Sequence, residues 1–379
     1  MKIRKLNIGI DISEIASKEK TGSEYFELNL IQNVLKIDKK NYFILYTYQN
    51  FDTSILPNTN NYKISKLITK HQTLWENLFL PYLLIKNKPD IFVSLTHLGP
   101  IYCPTKYISV ILDLAFIINK ETFKKLDQII FKLYANHAIK ISNHLIAISK
   151  ATKSDLLKYY KLSPHQISSV LLGFDKDIFY NRSNNEINLV KNKYSIGGNY
   201  ILFVGTLQKR KNMSRLISAF AKLKNECKIK EKLVIVGKLG WLYDDIFIKV
   251  KRLGLSNSVI FTGYVPGSDL PALFSGATVF ILPSLYEGFG LPLLEAMACG
   301  TPVITSKISS LPEVVEEAGI YINNPYSENE IAEKINLVVN NKPLQKELSQ
   351  KGFLQVQKFS WKNCASKFLS IIEKTIEKK

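Results

Sequence analysis

The sequence predicts an α/β protein with two doubly wound domains, each a parallel sheet with helices on both faces. Short apolar runs rich in β-branched and aromatic residues alternate with stretches of helical period, which is typical of parallel strands joined by helices. The runs form two sets separated by a polar segment. The chain of 379 residues also exceeds what one hydrophobic core usually supports. Two Rossmann-like domains are therefore expected, with ligands at the carboxyl ends of their strands.

The first set of apolar runs predicts five strands. A helix is expected over residues 24–37, because Phe26, Leu30 and Val34 recur at the i, i+4, i+8 spacing of one helical face. The predicted strands cover residues 6–10, 42–46, 91–94, 107–112 and 144–148.

The second set predicts five more strands and fixes the domain boundaries. These strands cover residues 200–205, 233–237, 259–262, 279–282 and 303–305. We expect an N-terminal domain at 1–178, a linker rich in Asn, Asp and Gly at 179–198, a C-terminal domain at 199–360 and a final helix at 361–379.

The most informative stretch covers residues 283–304, where Glu287 lies in a loop punctuated by Gly288 and Gly290. A helix is expected to follow over 291–299, because proline suits a first helical turn and glycine a position just past the end. No acidic residue falls in its first turn, so the positive end of the helix favours a phosphate.

A second carboxylate, Glu295, follows eight residues after Glu287, about one turn into this helix. A carboxylate there can accept two hydrogen bonds from a vicinal diol such as a ribose. The two glutamates therefore predict an anion flanked by two sets of sugar hydroxyls. The alternative is a structural Gly-Pro turn with two surface glutamates.

This stretch resembles the donor-binding signature of glycosyltransferase family 4, which comprises retaining enzymes of the GT-B fold. The family's hallmark is a pair of glutamates separated by seven residues, matched by Glu287 and Glu295. The chain is most similar to the mannosyltransferase-like branch that builds bacterial surface polysaccharides. Further segments that resemble the family are 199–212, 233–241, 259–265, 309–315 and 359–361.

The resemblance implies two Rossmann-like domains facing each other across a cleft. The domain at 1–178 would bind the acceptor, and the domain at 199–360 would bind the nucleotide-sugar. The helix at 361–379 would cross back to the N-terminal domain. Its residues Phe368, Ile371 and Ile372 follow a helical period.

The resemblance also assigns a basic loop at residues 205–212 to the donor diphosphate. Lys211 matches the lysine that contacts this diphosphate in the family, and a cation there would stabilise the charge of the leaving group. Relatives often carry an arginine just after the glycine, where this chain has Thr206. Arg210 is a candidate to compensate. The alternative is a solvated basic loop in a lysine-rich chain.

The resemblance implies the remaining donor contacts, each assigned to the position of this chain that matches the family. Glu295 would take the ribose, and Glu287 with the neighbouring backbone N–H groups would take the sugar ring. In this family's front-face reaction the leaving phosphate helps to deprotonate the acceptor, so we do not expect the two-carboxylate scheme of a hydrolase. The expected donor-binding residues are Gly205, Thr206, Arg210, Tyr264, Val265, Gly288, Phe289, Gly290, Leu291, Glu295 and, in the N-terminal domain, Gly22.

The N-terminal half departs from the family at one position. Relatives commonly carry His-Asp-Leu after the fourth strand, and here the histidine is replaced by Leu112 while Asp113 is retained. We assign Asp113 to catalysis together with Glu287 and Lys211. His97 follows another predicted strand, and we leave open a cleft role or a structural one.

Two other N-terminal positions resemble the family. Thr21-Gly22-Ser23 stands where relatives have a glycine-rich loop that approaches the donor, but it contains a single glycine. Ser149 resembles the family's serine after the last N-terminal strand, and its simplest role is to cap the next helix.

No metal or cofactor is expected to be required. Asp175 and Asp177 spell the Asp-x-Asp metal motif, but they follow a glycine near the linker and favour a turn. The five histidines are dispersed. The four cysteines form no Cys-x-x-Cys pair and are interpreted as reduced apolar residues.

The net charge of +19, from 51 basic and 32 acidic residues, leaves three interpretations: binding to nucleic acid, binding to anionic lipid, or a surface that is simply solvated. No nucleic-acid module accompanies the charge, so nucleic acid is not expected. Residues 121–141 form a candidate membrane face, and the alternative is a lysine-rich solvated helix. In it Lys124, Lys125, Lys132 and Lys140 interleave with Ile129, Ile130, Leu133 and Tyr134.

The expected location is the cytoplasm, and a peripheral position on the inner face of the plasma membrane is left open. The apolar run near residue 1 is too short for a signal peptide and predicts a first strand. No apolar run reaches the roughly 18 residues that a membrane crossing needs.

The favoured function is a retaining glycosyltransferase that moves a hexose, mannose from GDP-mannose by family branch. The acceptor would be a saccharide or lipid-linked saccharide of a bacterial surface polysaccharide. Two alternatives remain. One is a nucleotide-sugar epimerase or hydrolase on the same fold, and the other is a non-catalytic binding protein, suggested by Leu112.

Overall fold

The computed structural model describes residues 4–17, 19–238, 240 and 244–377. Trp241, the last residue of one quoted family segment, lies outside these ranges. The chain divides into two compact units. The first unit comprises Met1–Lys120, Lys124–Gly173 and Ser360–Lys379, and the second comprises Glu121–Phe123 and Phe174–Phe359.

The first unit contains, within the described ranges, a sheet of seven parallel strands ordered β3-β2-β1-β4-β5-β6-β7. Its strands are β1 Asn7–Asp11, β2 Tyr42–Thr47, β3 Tyr62–Lys66, β4 Ile91–Ser94, β5 Lys106–Ile111, β6 His144–Ala147 and β7 Ile167–Ser169. Its helices are α1 Gly22–Ile37, α2 Gln72–Leu74, α3 Leu80–Asn87, α4 Ala115–Ile118, α5 Lys125–Ile141 and α6 Lys150–Tyr159, with a π-helical turn at Trp75–Phe79 that joins α2 to α3.

The second unit contains, over the part of the chain that is described, a sheet of six parallel strands ordered β10-β9-β8-β11-β12-β13. Its strands are β8 Tyr200–Val204, β9 Lys232–Val236, β10 Val259–Gly263, β11 Val279–Leu282, β12 Val303–Ser306 and β13 Gly319–Ile322. Its helices are α7 Asn184–Lys193, α8 Met213–Asn225, α9 Asp244–Arg252, α10 Leu270–Ser275, α11 Leu291–Ala298, α12 Leu311–Val315, α13 Glu328–Val339 and α14 Lys342–Val356.

All ten predicted strands are present, with ends shifted by at most about a residue, and the predicted α/β class is confirmed. The predicted first helix is also confirmed, because Phe26, Leu30 and Val34 of α1 are buried. Sequence reasoning missed β3, β7 and β13. All three are edge strands. In β3 and β7 polar residues interrupt the apolar run. The run of β13 is apolar throughout, and sequence reasoning overlooked it.

The segment expected as a linker contains α7, and it belongs to the second unit. None of its residues is buried, so its composition resembles that of a solvated connection. Ser183 and Glu186 form a capping box at its start, and Lys193 pairs with Asp269 at 2.6 Å. Capping, an ion pair and the packing of Ile187 beside Gly276 hold this helix, and the observed boundary falls at residues 173 and 174.

The C-terminal helix, α15 at Trp361–Glu377, belongs to the first unit and packs against α1. The rings of Phe26 and Trp361 lie 6.4 Å apart. Lys106 Nζ donates to the carbonyl oxygens of Thr375 and Ile376, both at 3.0 Å, so a cation sits at the negative end of the helix.

Each sheet has one topological switch point, where the strand order reverses direction. In the first unit it lies between β1 and β4, and in the second between β8 and β11. Loops at the carboxyl ends of such neighbouring strands diverge and leave a crevice for ligands. None of the described helices combines the length and apolar content that a bilayer crossing requires.

Candidate functional site

The candidate site of the second unit lies where the loops after β8 and β11 meet. Lys211 Nζ donates to Glu287 Oε1 at 2.6 Å, and Arg210 Nη1 donates to Glu287 Oε2 at 3.1 Å. Ser284 Oγ donates to Oε1 at 2.6 Å. The three predicted residues Lys211, Arg210 and Glu287 are thus brought together from positions 76 and 77 residues apart.

A buried asparagine ties the two loops to each other. Asn212 adopts a left-handed conformation with φ of 62°, and its side chain donates to the carbonyl oxygens of Pro283 and Pro325 at 3.0 and 2.6 Å. Leu285 N donates to the Arg210 carbonyl at 2.8 Å. Sequence reasoning missed Asn212 as a site residue. Its only signal was its place at the end of the basic loop.

Arg210 points into the site, as its proposed compensating role requires. Besides Glu287, its Nη1 contacts the carbonyl oxygen of Tyr286 at 2.8 Å. The alternative of a solvated basic loop does not describe Arg210 and Lys211, because their side chains are only 16% and 13% exposed.

Glu287 is held as a carboxylate. Burial alone would raise the pKa of Glu287, but the charges of Lys211 and Arg210 and the hydrogen bond from Ser284 lower it to about 2. Two cations and one carboxylate leave one net positive charge in a nearly buried cluster. Such a cluster can accept a further anion at little additional cost, because its cations are already desolvated.

The glycine-containing loop after β11 turns its carbonyl oxygens inward. Ser310 Oγ donates to the carbonyl oxygens of Glu287 and Phe289 at 2.9 and 3.0 Å, and Glu287 N donates to Ser309 Oγ at 3.0 Å. Within the described ranges, the N–H groups of Gly288 and Phe289 have no acceptor. Sequence reasoning did not single out either serine as a site residue.

Gly290 supplies the turn into α11. Its φ is 103°, and a Cβ atom there would lie 2.9 Å from Leu311 Cδ2, so only glycine fits without strain. The ring of Phe289 packs against Phe359 at 6.0 Å, which leaves only its backbone for a ligand. Leu291 is the first helical residue and is mostly buried.

The predicted first turn of α11 is confirmed, with proline near its start and no acidic residue. Glu295 lies in this helix without a hydrogen-bond or ion-pair partner among the described residues. Burial raises its pKa to about 8. Burial therefore raises the pKa of Glu295, whereas at Glu287 the neighbouring cations reverse the effect of burial.

The loops after β8, β9 and β10 share the same edge of the sheet. Gly205 and Thr206 follow β8, and a Cβ atom on Gly237 would lie 2.0 Å from the Gly205 carbonyl oxygen. Gly237 N donates to the Gly263 carbonyl at 2.9 Å. Tyr264 and Val265 follow directly, and the side chain of Val265 is buried, so its backbone is the part available to a base.

The predicted residues Gly22 and Asp113 belong to the first unit. Gly22 is the first residue of α1, and Asp113 Oδ1 accepts from Ala115 N at 2.9 Å at the start of α4. Leu112 stands just after β5, and its carbonyl oxygen accepts from Thr152 Oγ1 at 3.4 Å.

His97 is packed between aromatic rings. Its ring lies 5.2 Å from Phe116 and 5.6 Å from Phe131, and both ring nitrogens are buried without a hydrogen-bond partner in the described part of the chain. Burial lowers the pKa of His97 to about 4, against the opposing charge of Asp113. The aromatic packing is what a structural histidine would show, but the two unsatisfied nitrogens are not, so both roles stay open.

Two minor expectations are tested by the contacts, the helix cap at Ser149 and the turn at Asp175. Ser149 caps α6, since its Oγ accepts from Thr152 N at 3.0 Å. Asp175 and Asp177 form a turn in which Asp177 N donates to Asp175 Oδ1 at 3.0 Å. The described residues contain no group of three His, Cys, Asp or Glu that could hold a metal ion, and the four cysteines are unpaired.

The class of protein follows from the fold, the site and a family match. Residues 185–355 match the family of glycosyl transferases group 1. This segment, which contains Lys211, Arg210, Glu287 and Glu295, is therefore a group 1 glycosyltransferase domain.

Two curated bacterial proteins are similar in sequence. O-antigen chain mannosyltransferase B of Escherichia coli is 33% identical over 227 residues, which cover 60% of this chain and 59% of that protein. Serotype-specific mannosyltransferase WbdA of Escherichia coli is 31% identical over 269 residues, covering 69% of this chain and 32% of that protein. The chain thus spans less than two thirds of either relative.

Solved structures show the same fold. Sucrose-phosphate synthase from Thermosynechococcus elongatus superposes with a TM-score of 0.77 at 18% identity, covering 98% of this chain and 99% of that chain. Anabaena HepE in complex with UDP and glucose superposes with a TM-score of 0.77 at 18% identity, covering 97% and 100%. The fold is therefore GT-B, with two Rossmann-like units.

Proposed function

We propose that this protein is a retaining glycosyltransferase that moves a hexose from a nucleotide-sugar to a saccharide or lipid-linked saccharide of a bacterial surface polysaccharide. The buried cluster of Lys211, Arg210 and Glu287 carries this proposal. It places net positive charge beside the N-terminus of α11, where the diphosphate of a donor would be held.

In this proposal each group of the site has one task. The diphosphate lies against Lys211, Arg210 and the N–H groups of Gly288 and Phe289. Glu287 accepts hydrogen bonds from the transferred sugar, and Glu295 accepts them from the ribose. The base contacts the backbone after β10. No metal is required, because protein cations neutralise the diphosphate.

The protonation state of Glu287 supports front-face chemistry. A carboxylate neutralised by Lys211 and Arg210 is a weak nucleophile and a weak base, so it does not suit the two-carboxylate scheme of a glycosidase. We infer that the bond between the sugar C1 and the diphosphate oxygen breaks as the acceptor oxygen bonds to C1 on the same face. The acceptor proton passes to the leaving diphosphate, whose charge Lys211 stabilises.

Mannose from GDP-mannose is the favoured donor. Both curated relatives are named mannosyltransferases. The Anabaena structure of the same fold contains UDP and glucose, so UDP-glucose is the comparison that a donor screen needs.

The test is a screen of three donors, GDP-mannose, UDP-glucose and a dTDP-sugar, with mannobiose as acceptor. Turnover is measured as release of the nucleoside diphosphate, and the product is identified by proton NMR. We expect turnover with GDP-mannose and an α-linked product, which retains the donor's configuration. Sugar release without acceptor would instead favour a hydrolase. Tight nucleotide binding with no turnover of any donor would favour a non-catalytic binding protein.

We also propose that the first unit binds the inner face of the plasma membrane as a peripheral protein on the cytoplasmic side. The predicted basic face is exposed on α5, where Leu126 is 74% exposed. A second apolar row lies on residues 72–87, and Asn77 Nδ2 contacts Tyr134 Oη of α5 at 3.4 Å, so the two helices are neighbours. The exposed apolar residues are Leu74, Leu78, Tyr82, Ile85, Ile101, Tyr102, Leu126, Ile129, Ile130 and Leu133.

Lysines border this apolar surface and make it suited to anionic lipid. Lys124, Lys125, Lys132 and Lys140 of α5 and the residue before it are all exposed. Each basic residue near an anionic bilayer contributes about 1 kcal/mol, and the apolar side chains can enter the interface. A lipid-linked acceptor would be presented at such a surface.

Co-sedimentation with phosphatidylglycerol vesicles tests the membrane proposal. The double variant Leu126→Asp, Ile129→Asp should lower the bound fraction at least about fivefold, because each aspartate removes apolar area and repels the lipid. Leu354→Asp on α14 is the matched control, since Leu354 is also 74% exposed. Absence of salt-sensitive binding by the unmodified protein would exclude the proposal.

A further inference from the structure

A groove between α5 and the end of α6 lies on the surface of the first unit. Its volume of about 520 Å³ is within the range of small-molecule sites and is more than a single phosphate group needs. One wall is a stripe of α5 at the i, i+4, i+7, i+8 spacing of one helical face, formed by Lys132, Asn136, Ile139 and Lys140. The other wall is the segment 159–162. The groove is therefore large enough for the headgroup of a lipid.

Three lysines surround this groove. Lys132 and Lys140 belong to the α5 wall, Lys161 belongs to the other wall, and all three are exposed. Within the described ranges none of them forms an ion pair. No aspartate or glutamate is among the described residues that line the groove. Three positive charges without a counter-ion favour an anionic occupant.

The surface between the lysines is apolar and aromatic. Tyr160 Oη donates to Asn136 Oδ1 at 2.9 Å and so joins the two walls. Burial raises the pKa of Tyr160 to about 12, so the phenol stays neutral and keeps this hydrogen bond near neutral pH. Ile139 is buried beneath the groove, and Tyr159 is 43% exposed at its side. Such a surface suits an anion that carries an organic part better than a fully hydrated ion.

The groove adjoins the apolar row that is proposed to enter the bilayer. Ile129 and Leu133 of α5 belong to that row. Lys132 follows Ile129 by three residues, and Asn136 follows Leu133 by three. Residues three apart are neighbours on a helix surface. When the apolar row enters the interface, the groove therefore lies at the level of the lipid headgroups.

The spacing of the lysines favours two phosphate groups over one. Lys132 and Lys140 are eight residues apart, which corresponds to roughly 12 Å along the axis of α5. A single phosphate is much smaller than this separation, whereas two phosphates joined by a glycerol can each face one of these lysines. Lys161 supplies a third positive charge from the other wall. A headgroup with two negative charges matches this arrangement better than a headgroup with one.

We propose that this groove binds the headgroup of a lipid with two phosphate groups joined by glycerol, as in diphosphatidylglycerol. Lys132, Lys140 and Lys161 pair with the phosphates, and the ring of Tyr159 packs against the glycerol bridge. The proposal rests on the proposed membrane binding of the first unit, and it adds a lipid class that a basic face alone would not select. It does not depend on the proposed glycosyl transfer.

Co-sedimentation of the full chain with two kinds of phosphatidylcholine vesicle tests the groove. One contains diphosphatidylglycerol, and the other contains phosphatidylglycerol at the same total negative charge. We expect at least about fivefold tighter binding to the diphosphatidylglycerol vesicles, the equivalent of one additional lysine contact. Lys140→Gln and Lys161→Gln should each remove this preference. Lys125→Gln is the matched control, because it makes the same charge change on α5 outside the groove, and it should weaken binding to both vesicles alike and retain the preference.

The outcomes separate the groove from the membrane proposal. Equal binding to the two charge-matched vesicles, or a preference that survives both groove variants, would overturn the groove and leave the membrane proposal intact. An NMR titration with glycerol bisphosphate distinguishes a lipid headgroup from a free phosphate compound. Binding of glycerol bisphosphate that requires Lys140, without binding to either vesicle, would identify a soluble ligand and overturn the lipid assignment.

Discussion

The two units place carboxylates at the same topological position and surround them differently. In the first unit, Glu27 and Glu76 line a pocket between β1 and β4 that has no cation among its described lining residues. In the second, Glu287 lies between β8 and β11 and is bound to Lys211 and Arg210. The fold supplies a crevice in both cases, and the residues that follow the strands decide its ligand.

The pKa directions express this difference. Lys211 and Arg210 hold the pKa of Glu287 at about 2 in spite of burial. Burial raises the pKa of Glu76 to about 7, where no cation opposes it. The second-unit site is therefore electrostatically prepared for an anion, whereas the first-unit pocket favours a neutral hydrogen-bonding group.

Removing a cation from the second-unit site should have the largest effect. Lys211→Ala is expected to lower turnover by about 10²–10³-fold, because one preorganised contact to the leaving diphosphate is lost. Steady-state kinetics with GDP-mannose measure this. Lys209→Ala, an exposed lysine of the same turn, should leave turnover unchanged. Equal kinetics in Lys211→Ala would disprove the site assignment.

Replacing Glu287 by a neutral residue should make the free energy of unfolding depend less on pH in the acid range. A folded pKa of about 2 lies below the usual 4.5, so Glu287 contributes stability above pH 4.5 that is lost as pH falls toward 2. The contribution is about 3 kcal/mol. Urea unfolding of Glu287→Gln between pH 7 and pH 3 should show a correspondingly smaller loss than the unmodified protein. An identical acid limb would mean that Lys211 and Arg210 do not hold Glu287 ionised.

Glu76 should affect the pH dependence of the free energy of unfolding in the opposite direction. A folded pKa of about 7 lies above the usual 4.5, so its contribution is present below pH 4.5 and is lost as pH rises toward 7. Because water reaches the pocket, the expected size is smaller, on the order of 2 kcal/mol. Glu76→Gln should reduce the decline of stability in urea unfolding between pH 4.5 and 7.5 without abolishing it, because burial also raises the pKa of Glu27 and of Glu295. A decline as steep as that of the unmodified protein would show that Glu76 contributes none of it.

The smallest expected difference is in stability, between alanine substitutions of the glycines at the starts of α11 and α1. Gly290→Ala should destabilise the protein by about 1–2 kcal/mol, because φ is 103° and the new Cβ meets Leu311. Gly22→Ala, where nothing lies within 4 Å of a Cβ, should be neutral or slightly stabilising. Thermal unfolding compares the two. Equal midpoints would show that the loop before α11 can relax.

The second-unit site was largely predictable because its residues lie in contiguous motifs. Glu287 and Lys211 were identified from the loops that carry them, and both lie in contact. The first-unit pocket was not predictable. Glu27 lies on the buried face of α1, four residues before Ile31, but no motif marks it there, and Glu76 is far away in sequence. No local pattern brings them together.

Edge elements were missed for a related reason. The strands β3 and β7 lie at sheet edges, and α7 buries none of its residues. Hydrophobic periodicity reports burial, so an element held by backbone pairing or by capping leaves little trace in it. The hydrogen-bonding roles of Ser309 and Ser310 were likewise not predictable, because sequence analysis identified the segment 309–315 only by its resemblance to the family.

The sequence by itself determined the alternation of strands and helices, the two-domain class and the anion-binding loops, because each depends on residues that are close along the chain. Tertiary structure alone decided which carboxylates acquire a counter-ion. Lys211 and Arg210 reach Glu287 across more than seventy residues. The described residues that line the pocket of Glu27 and Glu76 include no lysine or arginine. Charge compensation depends on distance in space and on burial, and neither is encoded in sequence spacing.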